Sequence, residues 1–199
     1  MLRNILLSAA FSCCLLAVTL NGKNASAEEK AAPGPTMTVA HAQDLFFEAA
    51  REGRNDVVAA LIKAGFSTEL RDRNGYTPLI LAAYDEHLDT LNLLLSNGAK
   101  ACATDLKGNT ALMGAAFKGA VPIVTRLVAA GCGVNEVNHE GQTALMMAAL
   151  FGRVDVVRLL LADGANSTVR DASGNTAASL AGKQGNSRMI TLLNAGPPA

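Results

Sequence analysis

A period constrains this chain more than any other feature. Four turn openers, Asp72, Asp105, Asn138 and Asp171, stand 33 residues apart, and the step never slips. Gly75, Gly108, Gly141 and Gly174 keep it, as do Thr77, Thr110, Thr143 and Thr176. So do Ala82, Ala115, Ala148 and Ala181, and the closing glycines Gly65, Gly98, Gly131 and Gly164. Each residue type has a local reason. Glycine tolerates positive φ in a hairpin-like turn, and a threonine hydroxyl caps a helix N-terminus. Alanine lets two helices approach, and glycine ends the second helix in a left-handed cap. Within one unit, Ala144, Leu145, Ala148 and Ala149 mark a short first helix, and Gly152 interrupts it. Val156, Val157, Leu159, Leu160 and Leu161 mark a second. A helix pair of this size cannot bury its apolar face alone, so the period predicts a stack of like units.

The stretch DRNGYTPLILAAY at 72–84 resembles the ankyrin-repeat pattern D-x-x-G-x-T-P-L-x-x-A-A. DLKGNTALMGAAF at 105–117 and NHEGQTALMMAAL at 138–150 resemble it as well, and DASGNTAASLAGK at 171–183 is a weaker copy. Only Pro78 keeps the proline, which Ala111, Ala144 and Ala177 replace, and the family's usual histidine is Ile80, Met113, Met146 and Ser179. The resemblance implies an all-α ankyrin-repeat solenoid with β-hairpin-like turns. Residues 43–50 and 55–64 align with the later helix pairs but lack the turn, which brings the number to about five helix pairs. The division predicted is an N-terminal cap over 41–71, repeats over 72–104, 105–137 and 138–170, and a C-terminal cap over 171–199.

Residues 1–27 read differently. Arg3 gives a positive start, 5–20 is apolar, and Ala25-Ser26-Ala27 is a small-x-small site, which predicts a secretory signal peptide cut between Ala27 and Glu28. The apolar run is short for a spanning helix, and Ala10-Phe11-Ser12 before Cys13 lacks the leucine of a lipobox. Residues 28–40, with Pro33-Gly34-Pro35, read as a flexible linker. Removing 1–27 takes away Arg3 and Lys23, leaving 17 − 2 = 15 basic against 17 acidic residues. A mature chain near −2 carries no electrostatic footprint for nucleic acid.

No catalytic or metal constellation stands out. His41, His87 and His139 have no second ligand at metal spacing. His87 falls where the resemblance implies a histidine that structures the link between two helices. There is no phosphate loop, nucleophile elbow or isolated carboxylate pair, and Met113, Met146 and Met147 lie mostly at buried phases of the first helix. The reading is therefore a non-enzyme without cofactor. Cys102 and Cys132 survive signal cleavage. A one-repeat offset of roughly 10 Å predicts two separate thiols, buried at Cys132, because a bridge needs Cα atoms closer than about 7 Å. The disulfide, which an exported compartment permits, is the minority alternative.

The resemblance implies protein binding through the turn tips and the exposed side of the first helix. At the tips stand Arg73, Asn74, Tyr76, Leu106, Lys107, Asn109, His139, Glu140 and Gln142. After the alanine pairs come Tyr84, Asp85, Phe117, Lys118, Leu150 and Phe151. Exposure is expected for Tyr76 and Tyr84. For Phe151, packing against the next repeat is an equal alternative. The partner predicted is another protein, with no nucleic acid and no membrane after cleavage. The chain resembles small secreted ankyrin-repeat proteins of Gram-negative bacteria, some of which accompany a periplasmic catalase in peroxide defence. An immunity protein occluding a toxic effector would use the same face.

Overall fold

The computed structural model describes residues 38–195. The signal segment, its cleavage boundary, most of the linker and the closing Gly196-Pro197-Pro198 lie outside the described residues. Among the described residues there are ten helices and no strand. They form five pairs: α1 (Val39–Glu52) with α2 (Asn55–Lys63), α3 (Pro78–Tyr84) with α4 (Leu88–Ser96), α5 (Ala111–Lys118) with α6 (Val121–Ala129), α7 (Ala144–Leu150) with α8 (Val154–Ala162), and α9 (Ala177–Lys183) with α10 (Ser187–Ala195).

The recurring threonines start the first helices. Thr77, Thr110, Thr143 and Thr176 accept the backbone N–H three residues on, at 3.2–3.3 Å. α1 uses Thr38 in the same way, with His41 N–H donating at 3.2 Å. This helix begins at Val39, two residues before the expected start, because its capping threonine stands in the stretch read as linker. Four of the second helices have no side-chain cap, at Arg54, His87, Ala120 and Arg153, whereas at α10 Asn186 Oδ1 accepts the Met189 N–H at 3.0 Å. Three of them place an aspartate in the first turn, Asp56, Asp89 and Asp155, where it complements the positive end of the helix dipole.

Stacking then follows the period. The first helices pack in one row, α1 on α3 on α5 on α7 on α9, and the second helices in another. The alanine pairs Ala49-Ala50, Ala82-Ala83, Ala115-Ala116 and Ala148-Ala149 are fully buried, so neighbouring first helices meet backbone to backbone. Behind them runs one continuous core built from Val58, Leu91, Leu94, Leu127, Leu145, Leu160 and their neighbours. Every unit therefore completes the burial of the next, as the isolated helix pair could not.

The short turn between paired helices needs a left-handed residue. Gly53, Gly119, Gly152 and Gly185 supply it with φ of 68–87°, whereas the second repeat uses Glu86 at φ 65°. At Gly53 a side chain is also excluded by space, since a Cβ would stand 2.5 Å from His87 Nδ1.

Candidate protein-binding face

Each turn tip is built around its opening residue. One side-chain oxygen of Asp72, Asp105, Asn138 and Asp171 accepts the N–H groups two and four residues on, at 2.8–3.0 Å. This closes the turn from inside and leaves the tip residues outside. Hydrogen bonds from the Asn175 side chain and backbone hold the Asp171 carboxyl below its ordinary value of 3.8. Successive tips are joined backbone to backbone: Leu106 N–H donates to Asn74 (3.0 Å), His139 to Lys107 (3.0 Å) and Ala172 to Glu140 (2.8 Å). Arg71 ties the first tip to the second by donating to the carbonyls of Gly75 and Thr104.

The tips present Arg73, Asn74, Leu106, Lys107, His139 and Glu140 to solvent. Tyr76 does not follow its expectation of exposure. It is half-buried against Phe47, Ala50 and Leu81, because the turn directs it back under α1 and α3. Asn109 and Gln142 are occupied within the stack. Asn109 Nδ2 donates to Asp105 (2.9 Å), and Asn138 Nδ2 donates to both Asn109 Oδ1 (2.8 Å) and Gln142 Oε1 (3.1 Å).

At the C-terminal ends of the first helices an aromatic run crosses three repeats. Tyr84 stacks on Phe117 with ring centroids 6.0 Å apart, and Phe117 meets Phe151 edge to face at 4.3 Å. Gly114 lies beside this crossing, where a Cβ would make an ordinary contact with the Tyr84 ring at 3.5 Å. Lys118 sets its ammonium 5.0 Å from the Tyr84 centroid, within cation–π range. Tyr84 is 43% exposed and Phe151 45%, with Phe117 half-buried between them. Phe151 thus both packs on its neighbour and faces solvent. Asp85 is exposed beside the run, whereas Leu150 is half-buried against the core.

The links behind this face are held by side chains from the following repeat. His87 Nε2 donates to the Arg51 carbonyl (2.8 Å), and Arg153 Nε donates to the Phe117 carbonyl (3.0 Å). His87 is a link-structuring histidine, as the resemblance implied.

One part of the face was not found from sequence. An open depression of ≈ 670 Å³ lies where α1 meets the first turn, with Asp44, Phe47, Glu48 and Arg51 on its walls beside the turn-tip Arg73 that the sequence did indicate. Arg51 pairs with Asp72 across it at 3.4 Å. The spacing of Asp44, Phe47, Glu48 and Arg51 is that of one helix face and could have shown it.

The cysteines also depart from the preferred expectation. Cys102 and Cys132 form a disulfide, with Cα atoms 5.0 Å apart. The 10 Å offset applies to equivalent positions. Cys102 is not equivalent to Cys132, because it lies further along a loop that has already crossed to the next repeat, where Gly133 N–H donates to its sulfur at 3.2 Å. Among the described residues no group of three or more His, Cys, Asp or Glu could hold a metal ion, and no helix is long and apolar enough to cross a membrane.

Capped helix pairs on an invariant period, joined tip to tip and presenting one continuous side-chain face, define a repeat solenoid of the protein-interaction class. A family model described as "Ankyrin repeats (3 copies)" matches residues 10–105, 46–138 and 112–197, and the chain belongs to the ankyrin-repeat family. That family is in general a non-enzymatic module that mediates binding to other proteins. The chain is similar to the potassium channel AKT2/3 of Arabidopsis thaliana, at 40% identity over 58 residues, 29% of this chain. It is also similar to the tyrosine-protein kinase HTK16 of Hydra vulgaris, at 43% identity over 47 residues, 24% of this chain. The similar stretches span only 7% and 6% of those two proteins.

Proposed function

We propose that this protein is a non-catalytic binding module that docks a partner protein on the face formed by its turn tips and aromatic run. The observation that carries the reading is the run Tyr84–Phe117–Phe151, whose outer members stay open to solvent although they are joined across three repeats. Exposed aromatic side chains rimmed by polar groups are the usual anchors of protein interfaces. Lys118, Asp85, Lys107 and Glu140 supply such a rim. We place the module in the bacterial periplasm on the strength of the signal-like segment 1–27, and assign it the protection or scaffolding of a partner enzyme such as a catalase in peroxide defence. That assignment is supported by resemblance to small secreted ankyrin-repeat proteins.

The test compares the chain from Glu28 onward with its Tyr84→Ala/Phe117→Ala variant, first in capture from periplasmic extract and then in titration of the purified partner. A haem enzyme bound by the wild type, with affinity at least roughly tenfold lower for a variant of unchanged helical signal, is the expected result. Equal binding by both forms would remove the aromatic run from the interface. Capture of a toxic hydrolase instead would make the protein an inhibitor.

A further inference from the structure

Three of the four interfaces between neighbouring repeats carry a staple at one recurring loop position. Glu69 accepts the Lys100 N–H at 2.9 Å. Two repeats later Asn135 accepts the Asn166 N–H at 2.8 Å and donates to the Gly164 carbonyl at 3.2 Å. Cys102 occupies the same position between them. Its sulfur accepts the Gly133 N–H at 3.2 Å and lies 4.0 Å from the Gly131 carbonyl, and it is bonded to Cys132. One interface has thus exchanged a polar staple for a covalent one while retaining the backbone donor that the polar staples use.

We propose that Cys102–Cys132 is a redox-controlled clamp on the third repeat. The two cysteines are 30 residues apart, and the loop they close contains all of α5 and α6 and no part of another helix. Closing that loop restricts the states open to this one repeat when it unfolds locally, and leaves the opening of the terminal pairs unaffected. α5 carries Phe117 and Lys118, so the clamp governs the centre of the aromatic run. When the bridge opens, the Cys102 sulfur remains an acceptor within reach of the Gly133 N–H, and the other stapled interfaces keep their own polar staples. The inference concerns the stack itself and holds whether or not the face binds a partner.

The chemistry is thiol–disulfide exchange with a dithiol. Cys132 is 3% exposed and Cys102 half-buried, so the incoming thiolate attacks Cys102 Sγ. The bridge breaks, a mixed disulfide forms with Cys102, and the Cys132 thiolate leaves and takes a proton. The second thiolate of the reductant then attacks its own partner sulfur, releasing Cys102 as a thiol. One dithiol is oxidised to a disulfide, and one protein disulfide is reduced to two thiols.

The test is native-state hydrogen exchange on the chain from Glu28 onward, with and without dithiothreitol. The C102N/C132A double variant runs beside it. That variant copies the next interface, where Asn135 faces Ala165, and so replaces the covalent staple by a polar one. Before reduction, neither cysteine should react with an alkylating agent in denaturant. On reduction, amides of α5 and α6 that exchange by local opening should accelerate on the order of a hundredfold. Those of α1 and α10 should not change, and the variant should ignore the reductant. Alkylation of either cysteine before reduction would overturn the proposal. So would exchange in α5 and α6 indifferent to reductant, or acceleration spread equally over all ten helices.

Discussion

Glu86 is the one residue other than glycine with positive φ among the described residues, at 65°. The left-handed region costs a side-chain-bearing residue about 1 kcal/mol. Four of the five helix-pair links avoid that cost with glycine. Glu86→Gly should therefore raise stability by about 1 kcal/mol, less some gain in unfolded-chain entropy, and a urea midpoint that moves upward with unchanged slope would show it. A fall in the midpoint would mean that the Glu86 side chain contributes more than its backbone costs. Single residues were legible where a repeat copy explained them. The threonine caps and the closing glycines follow from sequence because each answers a local backbone requirement, and His87 follows from the family resemblance, since its bond to the Arg51 carbonyl crosses to the preceding repeat. Tyr76 and the cysteines were not, because their surroundings come from a neighbouring unit. Tyr76 is covered by α1 and α3, and Cys102 reaches Cys132 only after its loop has crossed the interface.

At the scale of elements, α9 is the helix whose sequence fits its role least. It carries Gly182 where the other first helices place the second alanine of the pair, and it is exposed there, on the outer side of the last described helix pair. A Cβ at Gly182 would meet only Ile190 Cδ1, at an ordinary 3.6 Å. Gly182→Ala should stabilise α9 by about 0.5–1 kcal/mol through helix propensity alone, measurable as a rise in thermal midpoint. No change, or a fall, would show that the alanine cannot be accommodated as the spacing indicates. The start of α1 illustrates the limit of reading elements from pattern. Its apolar phase begins near His41, but the helix is set by Thr38, a capping hydroxyl that precedes the pattern.

For the whole molecule, the period alone was enough to give the architecture. Contacts in a solenoid join only neighbours, so one unit read correctly determines how all units meet. The binding face was less legible, because the same phase holds Arg51, Tyr84, Phe117, Leu150 and Lys183, and only three dimensions show which rings touch. Stability should also be graded along the stack. Among the described residues α10 packs chiefly on α9 and α8, and its partner helix holds the exposed glycine. Hydrogen exchange in α9 and α10 should be the fastest of the five pairs, and uniform protection along the chain would contradict this.

The tip-to-tip bonds carry a consequence for how such a chain can change length. Each tip gives one carbonyl forward and receives one N–H from the next, so the connection has a direction and repeats itself without end groups. Lengthening or shortening by one whole unit preserves it, whereas any other insertion in a tip breaks the alignment of all that follow. Viable lengths are thus quantised in steps of one repeat. The cysteines set the exception: excising residues 105–137 would bring Cys102 against Ala165, and a covalent bond would become an orphaned thiol.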